Sequence, residues 1–224
     1  MGNALAGDRR RKCPHCASIV LRAAEPLTHI FLWLHMVRRA PGEAWPVQGL
    51  EDLYDVREGR DVFYTDGLRQ RAHLSPADMA TLYQLWDTLL YLSGGEGFGV
   101  PAWEAMCSCL PVIYTRYSSH GLFLDAARAG LGVGGLLVPE PGSCLLRLIP
   151  DVRQAIYAIR RLYYDRALAV DLGTRGRAFV ENYGPRAQAA QWDRLFDECL
   201  LAGAPDRVAP CSNSAPVTVG VHKL

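Results

Sequence analysis

Apolar residues recur along this chain with two different spacings. Short, nearly unbroken runs occur at 29–36 (HIFLWLHM), 61–65 (DVFYT), 88–92 (TLLYL) and 111–114 (PVIY). Runs this short and this uniformly apolar, rich in β-branched and aromatic residues, predict strands of a parallel sheet covered on both faces. Between and after them the spacing becomes helical. Ser75-Pro76-Ala77-Asp78 carries a cap, an N1 proline and an acidic N3 residue, followed by the stripe Met79, Leu82, Tyr83 and Trp86. Similar stripes predict helices over 151–164, 167–181 and 187–201, with shorter ones over 17–24 and 50–56. Gly134 to Pro139 reads as a further strand with an exit turn. Residues 1–9 read as a flexible lead-in and 202–224 as a loose, disordered tail, because neither shows a regular apolar period. Alternating strands and helices predict an α/β domain: a Rossmann-like parallel sheet with helices on both faces.

The stretch Ser93 to Thr115 joins two of these strands and concentrates the candidate chemistry. After TLLYL come Gly94, Gly95, Glu96, Gly97, Phe98 and Gly99, then Val100-Pro101 opening a helix. A glycine-rich turn at a strand's carboxyl end brings backbone N–H groups and a helix N-terminus to one point, a placement that suits a phosphate or another anion. Glu96 lies on the loop and Glu104 about one turn into the helix. Ionised carboxylates there could accept from the paired hydroxyls of a sugar or ribose. Composition alone leaves a tight turn with a solvated helix face equally open.

The length of 224 residues, of which 50% are hydrophobic, is enough for one sizeable core, and a formal net charge of +1 gives no reason to expect nucleic acid or another polyanion as partner. Seven cysteines lack the regularity of a disulfide framework, so reduced thiols are the expectation. Cys13 and Cys16 have CxxC spacing, but no second pair follows to complete a zinc site, and an incidental pair is the preferred reading. The N-terminus has no signal-like apolar core and no stretch approaches a membrane span; the expected compartment is the cytoplasm, with a peripheral place at the membrane left open. His29 and His35 share a strand face by simple alternation. His35 reads as a structural or cleft-edge residue, and His120 lacks a nucleophile to pair with.

The run Glu96-Gly97-Phe98-Gly99-Val100-Pro101-Ala102-Trp103-Glu104-Ala105-Met106 through Pro111-Val112-Ile113 resembles the donor-site motif of retaining glycosyltransferases of the GT-B class, family 4. The resemblance extends from about Arg10 to Leu201, through Phe31-Leu32-Trp33-Leu34-His35, Ser118-Ser119, Gly134 to Pro139, Arg175 to Tyr183, and the closing pattern around Trp192 and Leu195-Phe196. It implies the C-terminal, nucleotide-sugar-binding half of a GT-B fold over 10–201, and an EC 2.4-type transfer of a glycosyl group to a hydroxyl with retention of configuration, without a metal. Glu96 would hold sugar hydroxyls. Gly95, Gly97, Phe98, Gly99 and Val100 would meet the diphosphate, and Glu104 the ribose. Ser118 and Ser119 would approach phosphates or sugar, Thr65 would line the base pocket, and Arg11 and Lys12 would offset charge on the leaving diphosphate. Four positions depart from the pattern: Cys13 where asparagine is common, Cys109 where glycine is usual, Arg116 where aspartate is common, and Leu122-Phe123 or Asp125 where a glutamate often stands.

In the resembled class the acceptor, whether saccharide, lipid-linked or protein, binds mainly to an N-terminal lobe for which 224 residues leave no room. The last helix, 187–201, normally reaches that lobe and could seek a protein partner or a second copy. The alternative is a noncatalytic nucleotide-sugar-binding or scaffold domain; a GT-B epimerase ranks below both.

Overall fold

The computed structural model describes residues 2–6, 30–35, 47–65, 74–140 and 145–201. Among them, six strands form one sheet: β1 (Gly2–Ala6), β2 (Phe31–His35), β3 (Val62–Tyr64), β4 (Thr88–Tyr91), β5 (Val112–Thr115) and β6 (Gly130–Val133), in the order β3-β2-β1-β4-β5-β6. Every neighbouring pair is parallel. The order reverses between β1 and β4, the point where doubly wound sheets open a crevice at the carboxyl ends of their strands.

The helices follow in chain order: α1 (Val47–Tyr54), α2 (Pro76–Leu85), α3 (Val100–Cys107), α4 (Ser118–Ala127), α5 (Val152–Tyr164), α6 (Arg166–Glu181) and α7 (Pro185–Leu201). Strand alternation divides the core into two layers. Leu89, Tyr91, Val112 and Tyr114 pack against Leu82 and Tyr83 of α2, Ala102, Ala105 and Met106 of α3, and Leu124 of α4. Leu90, Ile113 and Val133 face the other way, onto Ala155, Ala158, Ile159 and Leu162 of α5 and Ala169 and Leu172 of α6. The α/β fold with helices on both faces is therefore as the sequence predicts. At the far side, Leu32, Leu34, Val56, Val62 and Tyr64 form a third cluster.

The helix starts are legible in their residues. Ser75 Oγ accepts from the Asp78 N–H while the Asp78 carboxylate accepts from the Ser75 N–H, a complete capping box with Pro76 behind it. Asp151 and Asp165 cap α5 and α6 more simply, each carboxylate accepting from backbone N–H groups of its helix's first turn.

Two differences from the sequence reading stand out. Gly2–Ala6 is not a lead-in but β1, paired with β2 on one side and β4 on the other. Its Gly-Asn-Ala-Leu-Ala composition carries almost no strand preference; the two neighbours supply the hydrogen bonds that impose it. The segment Gly134 to Pro139 does not extend the main sheet. Gly135–Pro139 forms β7, antiparallel to an unanticipated strand β8 (Leu146–Pro150), in a separate two-stranded sheet. The expected helix at 17–24, the Cys13–Cys16 pair, His29 and the tail 202–224 lie outside the described residues.

By contact density the chain divides into two compact units, Met1–Asn182 and Tyr183–Leu224. In the second unit α7 has no buried residue, and Trp192 and Phe196 stack with ring centroids 5.8 Å apart. Among the described residues no helix is long and apolar enough to cross a membrane.

Candidate functional site

β4 ends beside the reversal point, and the chain then turns through Ser93 to Gly99 before α3 begins. Gly99 caps that helix with φ 99°, in the left-handed region, and a Cβ there would lie 2.7 Å from His120 Cβ. Both facts require glycine, one through the backbone and one through the neighbour. Pro101 then sits in the first turn, where its missing N–H costs nothing. The N–H groups of Gly97, Phe98, Gly99 and Val100 find no acceptor among the described residues, so this turn and helix start present several backbone donors together.

What holds the loop open is a continuous set of hydrogen bonds between the β4 and β5 exits. The Glu96 N–H donates to Ser118 Oγ at 3.0 Å, and Ser118 Oγ lies 3.2 Å from His120 Nδ1. His120 Nε2 lies 3.0 Å from Thr115 Oγ1, whose hydroxyl donates to the Ser93 carbonyl. The Ser93 hydroxyl in turn donates to the Glu96 carboxylate at 2.7 Å. One assignment fits every member: Ser118 donates to Nδ1, and His120 carries its proton on Nε2 and donates to Thr115. His120 is fully buried, with Tyr91 edge-on to its ring at 5.1 Å. It fixes the corner from within and does not face solvent.

The two serines divide the work. Ser119 Oγ lies 3.0 Å from both the Glu96 and Phe98 carbonyls, tying the loop's outer arm to α4. Ser118 has φ 55°, an uncommon left-handed conformation for a non-glycine residue that costs roughly 1–2 kcal/mol. That strain sets its hydroxyl between the Glu96 amide and His120. The Phe98 side chain, 50% exposed, rests on Trp103 and Phe123, each with a centroid distance of 5.4 Å.

Glu104 is oriented from behind. Tyr83, buried on α2, donates to Glu104 Oε2 at 2.9 Å and lies 3.2 Å from the Pro101 carbonyl. Burial first, then the neighbouring Glu104 charge, pushes the Tyr83 phenol well above its ordinary range. The other Glu104 oxygen has no protein partner among the described residues. Each carboxylate of the motif is thus anchored through one oxygen, leaving acceptor capacity on the other.

Gly95, Glu96, Gly97 and Ser118 line one recess of about 550 Å³, together with Tyr117, Glu140, Leu145, Leu146 and Arg147. Thr65 is elsewhere. It closes β3 at the sheet edge, almost fully buried, accepting from Trp33 Nε1 at 3.1 Å and lying 3.0 Å from His35 Nδ1. Arg11 and Lys12 lie outside the described residues. Arg116 pairs with Asp125 at 3.1 Å, and Asp125 also accepts from Tyr114, so both residues are engaged in fastening α4 to β5. Among the described residues no group of three or more His, Cys, Asp or Glu side chains is placed to hold a metal.

Sequence reasoning missed Ser93 and Thr115 as loop anchors, Tyr83 as the residue behind Glu104, and the β8 side of the hairpin with Glu140. Ser93 and Thr115 each stand immediately after an apolar strand run, a signal that could have found them. The hairpin residues carry no such signal.

No protein-family model matches the sequence, and no curated protein matches it. Solved structures do. Sucrose-phosphate synthase from Thermosynechococcus elongatus superposes with a TM-score of 0.62 at 23% identity, over 90% of this chain and 46% of that one. The C-terminal domain of a glycosyl transferase group 1 family protein from Francisella tularensis gives 0.58 at 18% identity, over 81% of this chain and 84% of that domain. The fold is that of GT-B glycosyltransferases. The pneumococcal O-GlcNAc transferase GtfA, solved with UDP and GlcNAc, gives 0.59 at 16% identity, over 89% of this chain and 36% of that one. At these identities the likeness shows the fold alone. The chain spans less than half the length of the first and third of these proteins, and most of the single C-terminal domain.

Proposed function

We propose that this chain is the donor-binding lobe of a retaining glycosyltransferase of the family 4 kind, taking a nucleoside-diphosphate sugar as donor. The observation that carries the reading is the corner after β4. There, a left-handed glycine, an open helix start and a carboxylate held through one oxygen all meet at the crevice where the sheet order reverses. The fold neighbours and the EGFG-to-EAM motif support the same reading.

In this reading the diphosphate lies against the backbone of Phe98, Gly99 and Val100 and the α3 N-terminus. Glu96 accepts from sugar hydroxyls, and Glu104 from the ribose. Ser118 and Ser119 keep the loop at the height this requires, and the base points to the β3 side, towards Thr65. During transfer the bond from the anomeric carbon to the diphosphate oxygen breaks, a new bond forms to the acceptor hydroxyl oxygen, and the hydroxyl's proton passes to the departing diphosphate. Negative charge grows on the departing diphosphate, and Arg11, Lys12 and the amides of the turn would offset it. Nothing in the scheme draws on a metal. The acceptor hydroxyl and full turnover call for the second lobe of two-lobed GT-B enzymes.

Calorimetric titration of the chain with UDP-, GDP- and ADP-hexoses tests the donor reading. Saturable binding of one nucleotide series is expected. Absence of binding by every member would leave a fold retained as a scaffold.

A further inference from the structure

The helices α5 and α6 treat their arginines differently. On α6, Arg175 pairs with Asp171 and Arg177 with Glu181, each one turn apart along the same helix. α5 carries Arg153, Arg160 and Arg161 and has no acidic residue in its 13 positions. Asp151 and Asp165, at its two ends, are engaged with backbone N–H groups. No hydrogen bond or ion pair joins the three α5 guanidinium groups to another described residue. At 3.6 residues per turn, Arg153, Tyr157, Arg160, Arg161 and Tyr164 fall within about 100° of the helix circumference and over about 16 Å of its axis. All five are exposed, Tyr157 at 67% and Tyr164 at 74%. The opposite side of the helix, with Ala155, Ala158, Ile159 and Leu162, is buried against the sheet, so this basic and aromatic stripe is fixed facing outward. The β7–β8 hairpin adjoins its start. The Asp151 N–H donates to the Gly134 carbonyl at 2.8 Å, and the Gly134 N–H to Gln154 Oε1 at 2.9 Å. Next to that junction Leu136 and Ile149 are cross-strand partners, and both are exposed.

We propose that the outward face of α5, with the Leu136–Ile149 pair at its start, docks the protein on the surface of an anionic lipid bilayer without crossing it. Three kinds of side chain point to that partner. Guanidinium groups give paired N–H donors to headgroup phosphates while their stems lie along apolar surface. Tyrosine rings, apolar in the body and polar at the tip, settle at headgroup depth. The exposed leucine and isoleucine add an apolar foothold at the acyl boundary, for which a purely electrostatic partner such as nucleic acid has no use. With a formal net charge of only +1 over the whole chain, attraction to an anionic surface has to come from local clusters. A rigid stripe then fixes which side of the molecule meets the lipid. The proposal stands apart from the donor reading and survives its failure.

The test is co-sedimentation of the full chain with vesicles of phosphatidylcholine alone and of phosphatidylcholine mixed with phosphatidylglycerol. Three double variants and one single variant are compared with the wild type: Arg153→Gln with Arg160→Gln, Arg160→Gln with Arg161→Gln, the charge-matched Arg175→Gln with Arg177→Gln on α6, and Leu136→Ser. Glutamine keeps the helix preference of arginine, and the α5 positions are exposed, so the fold is retained. The wild type should bind the anionic vesicles about tenfold or more tightly than the neutral ones, and each α5 double variant should lose about tenfold or more of that affinity. The α6 double variant should lose no more than about threefold, and Leu136→Ser about threefold. Because the basic run Arg9 to Lys12 is present in every variant, the difference between the α5 and α6 pairs is the readout. Equal losses in both pairs, equal binding to both vesicles, or no binding by the wild type overturns the proposal. So does α5-dependent binding to a DNA duplex without binding to vesicles, which would assign the face to nucleic acid.

Discussion

The two ends of the crevice use their polar groups in opposite ways. At the β2–β3 edge they close on one another: Trp33 and His35 meet at the Thr65 hydroxyl, and the Tyr64 hydroxyl donates to the buried Glu51 carboxylate at 2.6 Å. At the β4–β5 corner the hydroxyls of Ser93, Ser118 and Ser119 are engaged with the loop, while its carboxylates and turn amides keep unused capacity. One region is a polar core that satisfies itself, and the other is a polar surface held open by its own interior. Ligand chemistry belongs to the second kind, because a group tied at both ends has nothing left to offer a ligand.

The comparison breaks most severely at Gly99. In Gly99→Val the new side chain must take a left-handed backbone and meet His120 at 2.7 Å. The variant should lose about 3 kcal/mol or more, read as a lower denaturation midpoint in urea, together with measurable donor binding. At the edge, Thr65→Val leaves the half-buried Trp33 indole N–H without this acceptor and should cost about 1 kcal/mol. Here the loss should appear in the stability midpoint; a loss near zero would mean that the edge is not the closed network described.

A smaller effect is set by pH. Tyr83 and Tyr114 both have phenols raised above their ordinary range by burial, and then by Glu104 and Asp125 respectively. For such a group the folded state keeps its proton longer than the unfolded state. The stability is whole below the unfolded value near 10 and falls as pH rises above it. Urea midpoints should therefore decline above about pH 10, at up to roughly 1.4 kcal/mol per pH unit for each tyrosine. Tyr83→Phe should make that decline shallower, and an equal slope in wild type and variant would remove Tyr83 from the account.

Much of the fold was legible because the patterns were local. The Ser75 capping box, the four apolar runs and the α5 stripe each declare themselves within a few residues. β1 did not, because Gly2 to Ala6 becomes a strand only between two neighbours distant in sequence. β6 is equally muted by its own glycines, Gly130 and Gly132. The same division applies at the site. Glu96, Gly99 and Glu104 are spelled out in one motif, and even the missing glycine at Cys109 is explained, since that cysteine adopts φ 55° in its place. His120 and Tyr83 could not be assigned in this way. Their roles come from facing Thr115 and Glu104 across the packed layers, a relation that exists only once the sheet has formed.

The central claim is that Glu96 is held through one oxygen so that the rest of its carboxylate can receive a sugar. It is tested most directly by measuring the affinities of a nucleoside-diphosphate hexose and of the bare nucleoside diphosphate, in the wild type and in Glu96→Gln. The hexose conjugate should lose about 10- to 100-fold in the variant, the scale of a hydrogen bond to a charged group, and most of its advantage over the bare diphosphate should disappear. An advantage that survives intact in Glu96→Gln would contradict the account.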